Sequence, residues 1–409
     1  MDVLVERCAG LDVHKDTVVA CVLAPGVDAT PVTFGTTSAA LLALRDWLVA
    51  CGVTRVGMEA TGVYWKPVYY VLEDALEAHL YNARHMRNVP GRKTDVADAA
   101  WIAQLTRFGL VRPSFVPEPA IRDLRALTRY RRAQIEERGR EAQRLDKVLQ
   151  DAGIKLSSVA SDILGASGRA MLQALVEGTR DPEVLAELAR GRLRAKLPQL
   201  EAALAGRFGE VHTLLVASIL SKLDFLDEQI GQLTERIGRV IDPFVDKAAL
   251  LESIPGVGRR TAEAILAEIG PDMGVFPTAP ALASFAGVCP GNHQSAGRNK
   301  SGRTRHGSKW LDAALHEAAM AASRTKGTYL SAQYARLRPR RGHAKAIRAL
   351  QHSILTAIWH MLTHDIPYQD LGSDYFQRRN NPEHQARKLI GQLKKLGYTV
   401  TLDQTPQPI

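Results

Sequence analysis

The sequence has few of the features that mark secreted, zinc-binding and membrane proteins. Its 409 residues include only four cysteines, which lie far apart and form no CxxC pair, so neither a disulfide framework nor a zinc site is expected. No apolar run approaches the roughly 20 residues of a membrane span. The N-terminal MDVLVERCAG carries acids where a secretion signal needs an apolar segment, and no GxxxxGK[ST] nucleotide-binding loop occurs. These absences predict a soluble, cytoplasmic protein.

Positive charge is in excess and is clustered. The 53 Lys/Arg against 43 Asp/Glu give a formal net charge of +10, and 45% of the residues are hydrophobic. The length exceeds one usual domain, and clustered basic residues are typical of proteins that bind nucleic acid.

One basic stretch runs from Ala286 to Trp310. Between Gly291 and Lys309 it has four glycines, three serines, no acid, and the basic residues Arg298, Lys300, Arg303, Arg305 and Lys309. Such a segment cannot bury an apolar face, and its glycines allow the backbone to approach a ligand closely. A basic loop with hydroxyl groups suits a polyanion, and one of its serines could attack a phosphodiester. A solvated loop is the alternative.

The first hundred residues have the pattern of a mixed sheet. Short β-branched runs separated by polar or Pro/Gly breaks predict strands, and amphipathic runs predict helices. The predicted strands are 7–12, 17–23, 31–34, 54–60 and 79–83, and the predicted helices begin near Ser38, Tyr64 and Thr94 or Asp95. The first three strands are expected to be antiparallel. The order βββαβαβα is that of the ribonuclease H fold, so an α/β domain of this class is predicted.

Four carboxylates fall at the ends of these elements. Asp12 ends the first strand, and Glu59 ends the fourth, which lies beside the first in this topology. Asp95 and Asp98 share one face of the first turn of the last helix. Each alone could be a strand-end, cap or surface charge, but together they predict a site for Mg²⁺, which prefers carboxylate oxygens. Nearby cations are predicted to hold a phosphate backbone, namely Lys66, Arg84, Arg87, Arg92 and Lys93.

After a Pro-rich linker at 111–119 the sequence becomes helical. Residues 120–150 predict one long helix, and residues 151–210 predict a small helical insert with no assigned chemistry. From Val216 to Val240, apolar residues alternate spacings of three and four over nearly four heptads, which is typical of a coiled coil. Its partner could be 120–150 of the same chain or another subunit, and both possibilities are open at this point.

The segment LLESIPGVGRRTAEAILAEIG at 250–270 has a helix-hairpin-helix pattern. Its glycine turn and the arginines behind it are predicted to contact DNA phosphates, namely Gly256, Gly258, Arg259 and Arg260, although PGVG is also a common structural connection. An acid-free basic group that includes Arg340 and Arg341 is expected at the start of the last large helix. The predicted divisions of the chain are 1–112, 113–245, 246–370 and a C-terminal tail at 371–409.

Motifs from both halves of the chain occur in a recognisable order. They are GLDVHK, EATGVYW, RKTDVADA, LESIPGVGRRTA and AGVCPGNHQSAGRNKSGRTRHGSKWL, and together they resemble the DEDD transposases of insertion sequences, the IS110 family with its IS1111 branch. The resemblance implies a RuvC-like (ribonuclease H-like) N-terminal domain, a coiled coil and a mainly α-helical C-terminal transposase domain. It implies a recombinase that cleaves and exchanges DNA strands with Mg²⁺ as cofactor.

The same resemblance carries residue roles onto this sequence. It assigns metal binding to Asp12, Glu59, Asp95 and Asp98, and it assigns the catalytic nucleophile to Ser295. It implies element-end and target DNA, a structured guide RNA and a homo-oligomer, dimer or tetramer, as partners.

A serine hydroxyl is a poor nucleophile without a base or metal nearby, and a transferring phosphoryl group needs surrounding positive charge. Ser301, and less so Ser308, are alternative nucleophiles in the basic stretch. Two other functions fit the same residues. One is a metal-dependent Holliday-junction resolvase-like nuclease that forms no covalent intermediate, and the other is a non-catalytic nucleic-acid-binding protein.

Overall fold

The computed structural model describes residues 2–87, 89, 98–289, 293–295, 298–301, 304, 307–379 and 382–401. The chain forms two compact units, Met1–Val116 and Pro117–Ile409. The first is a mixed α/β unit built on one sheet, and the second is mostly helical. The finer predicted division of the second unit stays a prediction.

The sheet of the first unit has five strands. They are β1 (Cys8–Val13), β2 (Thr17–Leu23), β3 (Val32–Gly35), β4 (Arg55–Glu59) and β5 (Glu77–Tyr81), in the order β3-β2-β1-β4-β5. Strands β1, β2 and β3 are antiparallel neighbours, whereas β4 and β5 run parallel to β1. The predicted antiparallel trio is confirmed, as is the fourth strand beside the first.

The last strand begins two residues before its predicted start. Glu77 is in register with Arg55 of the neighbouring strand, and their side chains form an ion pair of 2.8 Å. The sequence pattern placed this charged residue outside the strand, but a cross-strand ion pair allows it to begin one.

The described residues of the first unit also form four helices, namely α1 (Ser38–Ala50), α2 (Trp65–Leu72), α3 (Ala83–Arg87) and α4 (Asp98–Arg107). Thr37, and not Ser38, is the N-cap of α1, and its side chain accepts a hydrogen bond from the Ala40 amide. Leu41, Leu44 and Leu48 are spaced three and four apart, and this face of α1 packs in the core with β1 and β2. The short helix α3 is an addition to the predicted element order.

A pair of long helices dominates the second unit. Helix α5 (Pro119–Asp151) and helix α10 (Glu210–Val240) are antiparallel, since Lys222 pairs with Glu137 at 3.0 Å and His212 approaches Asp151 at 3.1 Å. The apolar residues of the predicted seam are all buried or half-buried on α10, namely Val216, Ile219, Leu223, Leu226, Ile230, Leu233, Ile237 and Val240. The seam therefore packs within the chain, against α5. Supercoiling of the pair, and pairing with another subunit, stay predictions.

The segment between these helices is a small helical layer, as predicted. It contains α6 (Leu156–Val159), α7 (Ala166–Val176), α8 (Pro182–Glu187) and α9 (Leu197–Leu204). Their leucines share one core with the end of α5 and the beginning of α10, in which Leu149, Leu172 and Leu200 are fully buried. This layer covers the apolar ends of the two long helices.

The rest of the second unit is a helical bundle with one small hairpin. The bundle contains α11 (Val245–Glu252), α12 (Arg259–Ile269), α13 (Ala279–Phe285), α14 (Lys309–Ala322), α15 (Tyr329–Arg341), α16 (His343–His364), α17 (Tyr375–Arg378) and α18 (Pro382–Lys395), and the hairpin contains β6 (His293–Ser295) and β7 (Arg298–Ser301). None of the helices in the described parts of the chain is long and apolar enough to cross a lipid bilayer.

The expectation that the basic group begins the last large helix is correct for Lys345 and Arg348, which lie in the first turns of α16, but is wrong for Arg340 and Arg341. Both residues lie in the last turn of α15, and α16 starts two residues after Arg341. Gly342 separates the two helices with φ of 78°, a left-handed conformation that glycine adopts without steric cost. The single basic run therefore spans a helix break.

Candidate active site

Two glycines allow helix α4 to lie directly against the sheet. A Cβ on Gly10 would be 2.1 Å from the carbonyl oxygen of Ala99, and a Cβ on Gly57 would be 2.2 Å from Thr106 Oγ1. Both distances are far below van der Waals contact, so only glycine permits this approach. Because Gly10 and Gly57 are paired in β1 and β4, the helix contacts the two strands at residues that lie side by side.

Asp12 and Glu59 lie side by side at the carboxyl ends of the parallel strands β1 and β4. Leu11 and Met58 are paired, and Asp12 and Glu59 are the next residue in each strand. Side chains alternate along a strand, so the two carboxylates lie on the glycine face, which α4 covers. Asp98 is the first residue of α4. The glycines therefore bring three of the four predicted carboxylates to one edge of the sheet.

A cavity of about 130 Å³ lies at this edge. Glu59 and Asp98 both line it, together with Arg87 and the apolar residues Met86 and Trp101. Asp12 is half-buried, with 22% of its side chain exposed, and its Oδ2 atom is 3.1 Å from Nε2 of His14. Two carboxylates and a cation thus line one cavity, with a third carboxylate in the neighbouring strand.

Carboxylate oxygens are the ligands that a hard divalent cation prefers. The side chains at this edge are therefore of the chemical type that such an ion binds. Asp95, the fourth predicted ligand, lies outside the described residues. Among the residues that the structure does describe, no three His, Cys, Asp or Glu side chains are grouped as a metal site. The predicted ligand set therefore stays a prediction.

The predicted phosphate contacts of this unit differ in their placement. Arg87 lines the cavity, whereas Lys66 on α2 and Arg84 on α3 are exposed. Arg92 and Lys93 lie outside the described residues. His79 has a structural contact, because its ring lies 2.9 Å from Glu77, and burial lowers its pKa.

Part of the basic stretch from Ala286 to Trp310 is a β-hairpin and not a loop throughout. Strands β6 and β7 are antiparallel, and Ser295 is the backbone partner of Arg298. A ladder of backbone hydrogen bonds needs no apolar side chains, which is why hydrophobic patterning did not indicate these strands. The predicted nucleophile thus has a predicted phosphate-binding residue opposite it, and Lys300 is also on β7. Arg303 and Arg305 lie outside the described residues.

Ser308 caps the helix that follows the hairpin. Its Oγ accepts a hydrogen bond from the Leu311 amide at 3.4 Å and donates one to Glu268 Oε2 at 2.8 Å. The Glu268 side chain is only 3% exposed, and Arg129 of α5 donates two hydrogen bonds to it, at 2.7 and 2.9 Å. These contacts give Ser308 a structural role and disfavour it as a nucleophile.

The contacts of Arg129 and Glu268 were not anticipated from the sequence. Glu268 is one of two acids on the buried face of α12, and Arg129 comes from the arginine-rich α5. Acids within an otherwise apolar helix face are a signal for buried cations elsewhere. Lys309 also has a structural contact, since its Nζ lies 4.8 Å from the centre of the Trp310 ring.

The PGVG turn connects α11 to α12, and its predicted phosphate contacts fall into two groups. Gly256 has φ of 91°, and a Cβ there would lie 2.4 Å from the Ala322 amide nitrogen, so this glycine is required by packing against α14. Arg259 is paired with Glu263 at 3.1 Å and with a second acid on α11. Gly258 and Arg260 are exposed. A ligand can therefore reach Gly258 and Arg260 directly, whereas the Arg259 side chain is 40% exposed but already paired with two acids.

Two family models match the chain in sequence order. A transposase model of the DEDD IS110 type matches residues 9–154, and the model described as the transposase IS116/IS110/IS902 family matches residues 248–335. The first range contains β1, β4 and α4 with the carboxylates, and the second contains the glycine turn and the serine hairpin.

Individual relatives match over shorter parts. The 43.6 kDa protein of insertion element IS110 from Streptomyces coelicolor is 32% identical over 36% of this chain and 36% of its own length. The transposase for insertion sequence element IS1111A from Coxiella burnetii is 30% identical over 44% of this chain and 51% of its own length. The pilin gene-inverting protein of Moraxella bovis is 41% identical over 17% of this chain and 22% of its own length.

The matched segments therefore span about half, or less, of the curated relatives. The two family models nevertheless cover both the carboxylate region and the serine region, in the order that the sequence motifs predicted. The chain belongs to the IS110 family of transposases.

Proposed function

We propose that this protein is a transposase that cleaves and exchanges DNA strands. Ser295 is the nucleophile, and Asp12, Glu59, Asp95 and Asp98 hold a Mg²⁺ ion beside the DNA. The observation that carries the proposal is that Glu59 and Asp98 line one cavity at the edge of the sheet, with Asp12 near the end of the neighbouring strand, within the segment matched by the DEDD-type model. The strand order β3-β2-β1-β4-β5 supports a ribonuclease H-like class for this unit.

The names of the relatives agree with this chemistry. One is named as a transposase and another as a gene-inverting protein, and both kinds of reaction rearrange DNA. A rearrangement needs strands to be cut and rejoined. A serine ester of DNA keeps the energy of the broken bond, so rejoining needs no nucleoside triphosphate.

The covalent step involves residues of the hairpin. The Ser295 oxygen forms a new bond to phosphorus, the bond from phosphorus to one deoxyribose oxygen breaks, and the departing strand leaves as a hydroxyl end. Arg298 and Lys300 on β7 balance the negative charge that develops on the phosphoryl oxygens. When bound, Mg²⁺ supplies Lewis-acid polarisation of a phosphate oxygen.

The test is a search for a covalent protein–DNA adduct on a denaturing gel, with Mg²⁺, element-end DNA and RNA transcribed from the element's flank. We expect Ser295→Ala to abolish the adduct, and the matched variants Ser301→Ala and Ser308→Ala to retain it. Asp12→Asn and Glu59→Gln are expected to abolish both adduct and cleavage.

Other outcomes would assign a different function. Cleaved DNA that persists in Ser295→Ala without any adduct would indicate a metal-dependent nuclease. Binding without cleavage under all conditions would indicate a non-catalytic nucleic-acid-binding protein.

We also propose a structured RNA and further copies of this chain as partners. The resemblance to the family supports both. An adduct that forms equally well without RNA would refute the first, and a monomer in sedimentation with DNA and RNA present would refute the second.

A further inference from the structure

The section of chain around α15 has an unusual charge distribution. From Ala318 to His364 it carries eight Lys/Arg and no Asp or Glu. On the long helices, by contrast, acids lie among the basic residues, and several arginines pair with them, as Arg132 does with Glu136 at 3.0 Å and Arg138 does with Asp227. The cations of the acid-free section have no acids of their own section to neutralise them.

A cleft of about 740 Å³ lies within this section. It is formed by the end of α14, the turn after it and one side of α15. Three exposed cations line it, namely Arg324, Lys326 and Arg338, and none of the residues that line it is an acid. Within the described residues, none of the three cations makes an ion pair.

Two acids that are close in sequence to the lining residue Ser373 already have contacts of their own. Asp374 follows the lining residue Ser373 and pairs with Arg378 at 2.9 Å. Asp370 accepts hydrogen bonds from the amides of Tyr329 and Gly372, at 2.9 and 2.7 Å. Asp374 is therefore balanced by Arg378, Asp370 is held by backbone amides, and, among the described residues, neither carboxylate forms an ion pair with a cation of the cleft.

The wall of the cleft is held in place by contacts of its own. Tyr334 lines the cleft, and its hydroxyl is 2.7 Å from Nδ1 of His343 at the start of the next helix. Ser323 and Ser331, which also line it, donate their hydroxyl protons to backbone carbonyls. Binding of an anion in the cleft thus depends on the three cations and not on these hydroxyl groups.

We propose that this cleft binds the sugar–phosphate backbone of DNA without sequence preference. A concave surface with three cations that make no ion pair is suited to a chain of phosphates. Binding of such a chain also releases counterions that are condensed on it. DNA is favoured over other polyanions because the chain belongs to a family of transposases. The proposal rests on the proposed function, since it gives that function a second DNA contact outside the serine hairpin.

The test is fluorescence anisotropy of an arbitrary labelled DNA duplex, titrated at several salt concentrations. The cleft variant is Arg324→Gln/Lys326→Gln/Arg338→Gln. The control variant is Arg192→Gln/Arg236→Gln/Arg239→Gln, which removes the same charge from three other exposed arginines that make no ion pair within the described residues.

Each phosphate contact contributes about 0.9 to the slope of log affinity against log salt. We expect the cleft variant to lower the slope by roughly 2 to 3, and affinity at 0.1 M salt by on the order of a hundredfold. The control variant is expected to retain most of the slope. Equal losses in the two variants would overturn the site, and a slope lowered for a structured RNA but not for DNA would overturn the choice of DNA.

This result is separable from the nucleophile test. A protein that forms no adduct, but whose DNA affinity depends on the cleft cations, would refute the role of Ser295 and leave the cleft site standing. An active protein whose cleft variant binds DNA as the wild type does would refute only the cleft site.

Discussion

A buried ion pair joins the long helix α5 to α12. Arg131 Nη2 donates to Glu263 Oε2 at 2.7 Å, and the two side chains are only 4% and 5% exposed. The other oxygen of Glu263 accepts from Arg259 Nε at 3.1 Å. Glu263 therefore serves two arginines, whereas Nη1 of Arg131 is buried without a hydrogen-bond partner in the described residues. Because of this asymmetry, replacing Glu263 and replacing Arg131 are predicted to change the free energy of unfolding by different amounts.

Glu263→Leu leaves the Arg131 guanidinium buried without its counter-charge, and we expect a loss of about 3–5 kcal/mol in the free energy of unfolding. Arg131→Met leaves Glu263 with Arg259 as a remaining partner, so a smaller loss of roughly 1–3 kcal/mol is expected. The double variant replaces the pair with apolar side chains, and its stability is expected within about 1 kcal/mol of the wild type. The two substitutions are thus strongly non-additive.

Urea unfolding followed by far-ultraviolet circular dichroism measures these changes. The helical signal comes mainly from the second unit, which contains both residues. The two units can unfold in separate transitions. The free energy of unfolding is therefore compared between variants for the transition that carries most of the helical signal. Equal losses in the two single variants, or a double variant that loses the sum of both, would refute the reasoning.

Three further predictions concern packing, thiol reactivity and capping. Gly10→Ala places a Cβ against the backbone of α4, and we expect it to lower the free energy of unfolding by about 1–3 kcal/mol or more, measured by thermal unfolding. The control Gly139→Ala meets open space in α5 and is expected to raise that free energy by roughly 0.5–1 kcal/mol. Equal effects of the two substitutions would contradict the close approach of α4. Burial raises the pKa of the Cys8 thiol to about 11, so at pH 8 the folded protein is expected to react with iodoacetamide at the half-buried Cys51 before Cys8. Mass spectrometry that finds Cys8 modified first would refute this. Ser308→Ala is expected to cost about 1 kcal/mol through loss of the cap, with Ser308→Thr close to wild type, and identical stabilities for all three proteins would count against the capping role.

The sequence by itself determined the five strands of the first unit, its longer helices and the apolar seam of α10. Alternation of two residues predicted the strands, and spacings of three and four predicted the seam from Val216 to Val240, because burial on one face imposes those periods. It also placed Asp12 and Glu59 at strand ends, since the breaks in each local pattern mark where a strand stops. Patterns of this kind involve residues that are close together in the chain, so they can be recognised in a single sequence.

Tertiary structure alone decided which residues meet across long separations. The approach of α4 to the sheet depends on the space left by Gly10 and Gly57. The residues next to these glycines in the sequence do not indicate which helix packs there. The contact of Arg129 with Glu268 joins residues far apart in the chain, and hydrophobic periodicity does not identify such a partner. The hairpin of Ser295 and Arg298 depends on backbone hydrogen bonds, which any polar sequence can form. Local patterning thus gave the elements, whereas close packing and ion pairing selected their contacts.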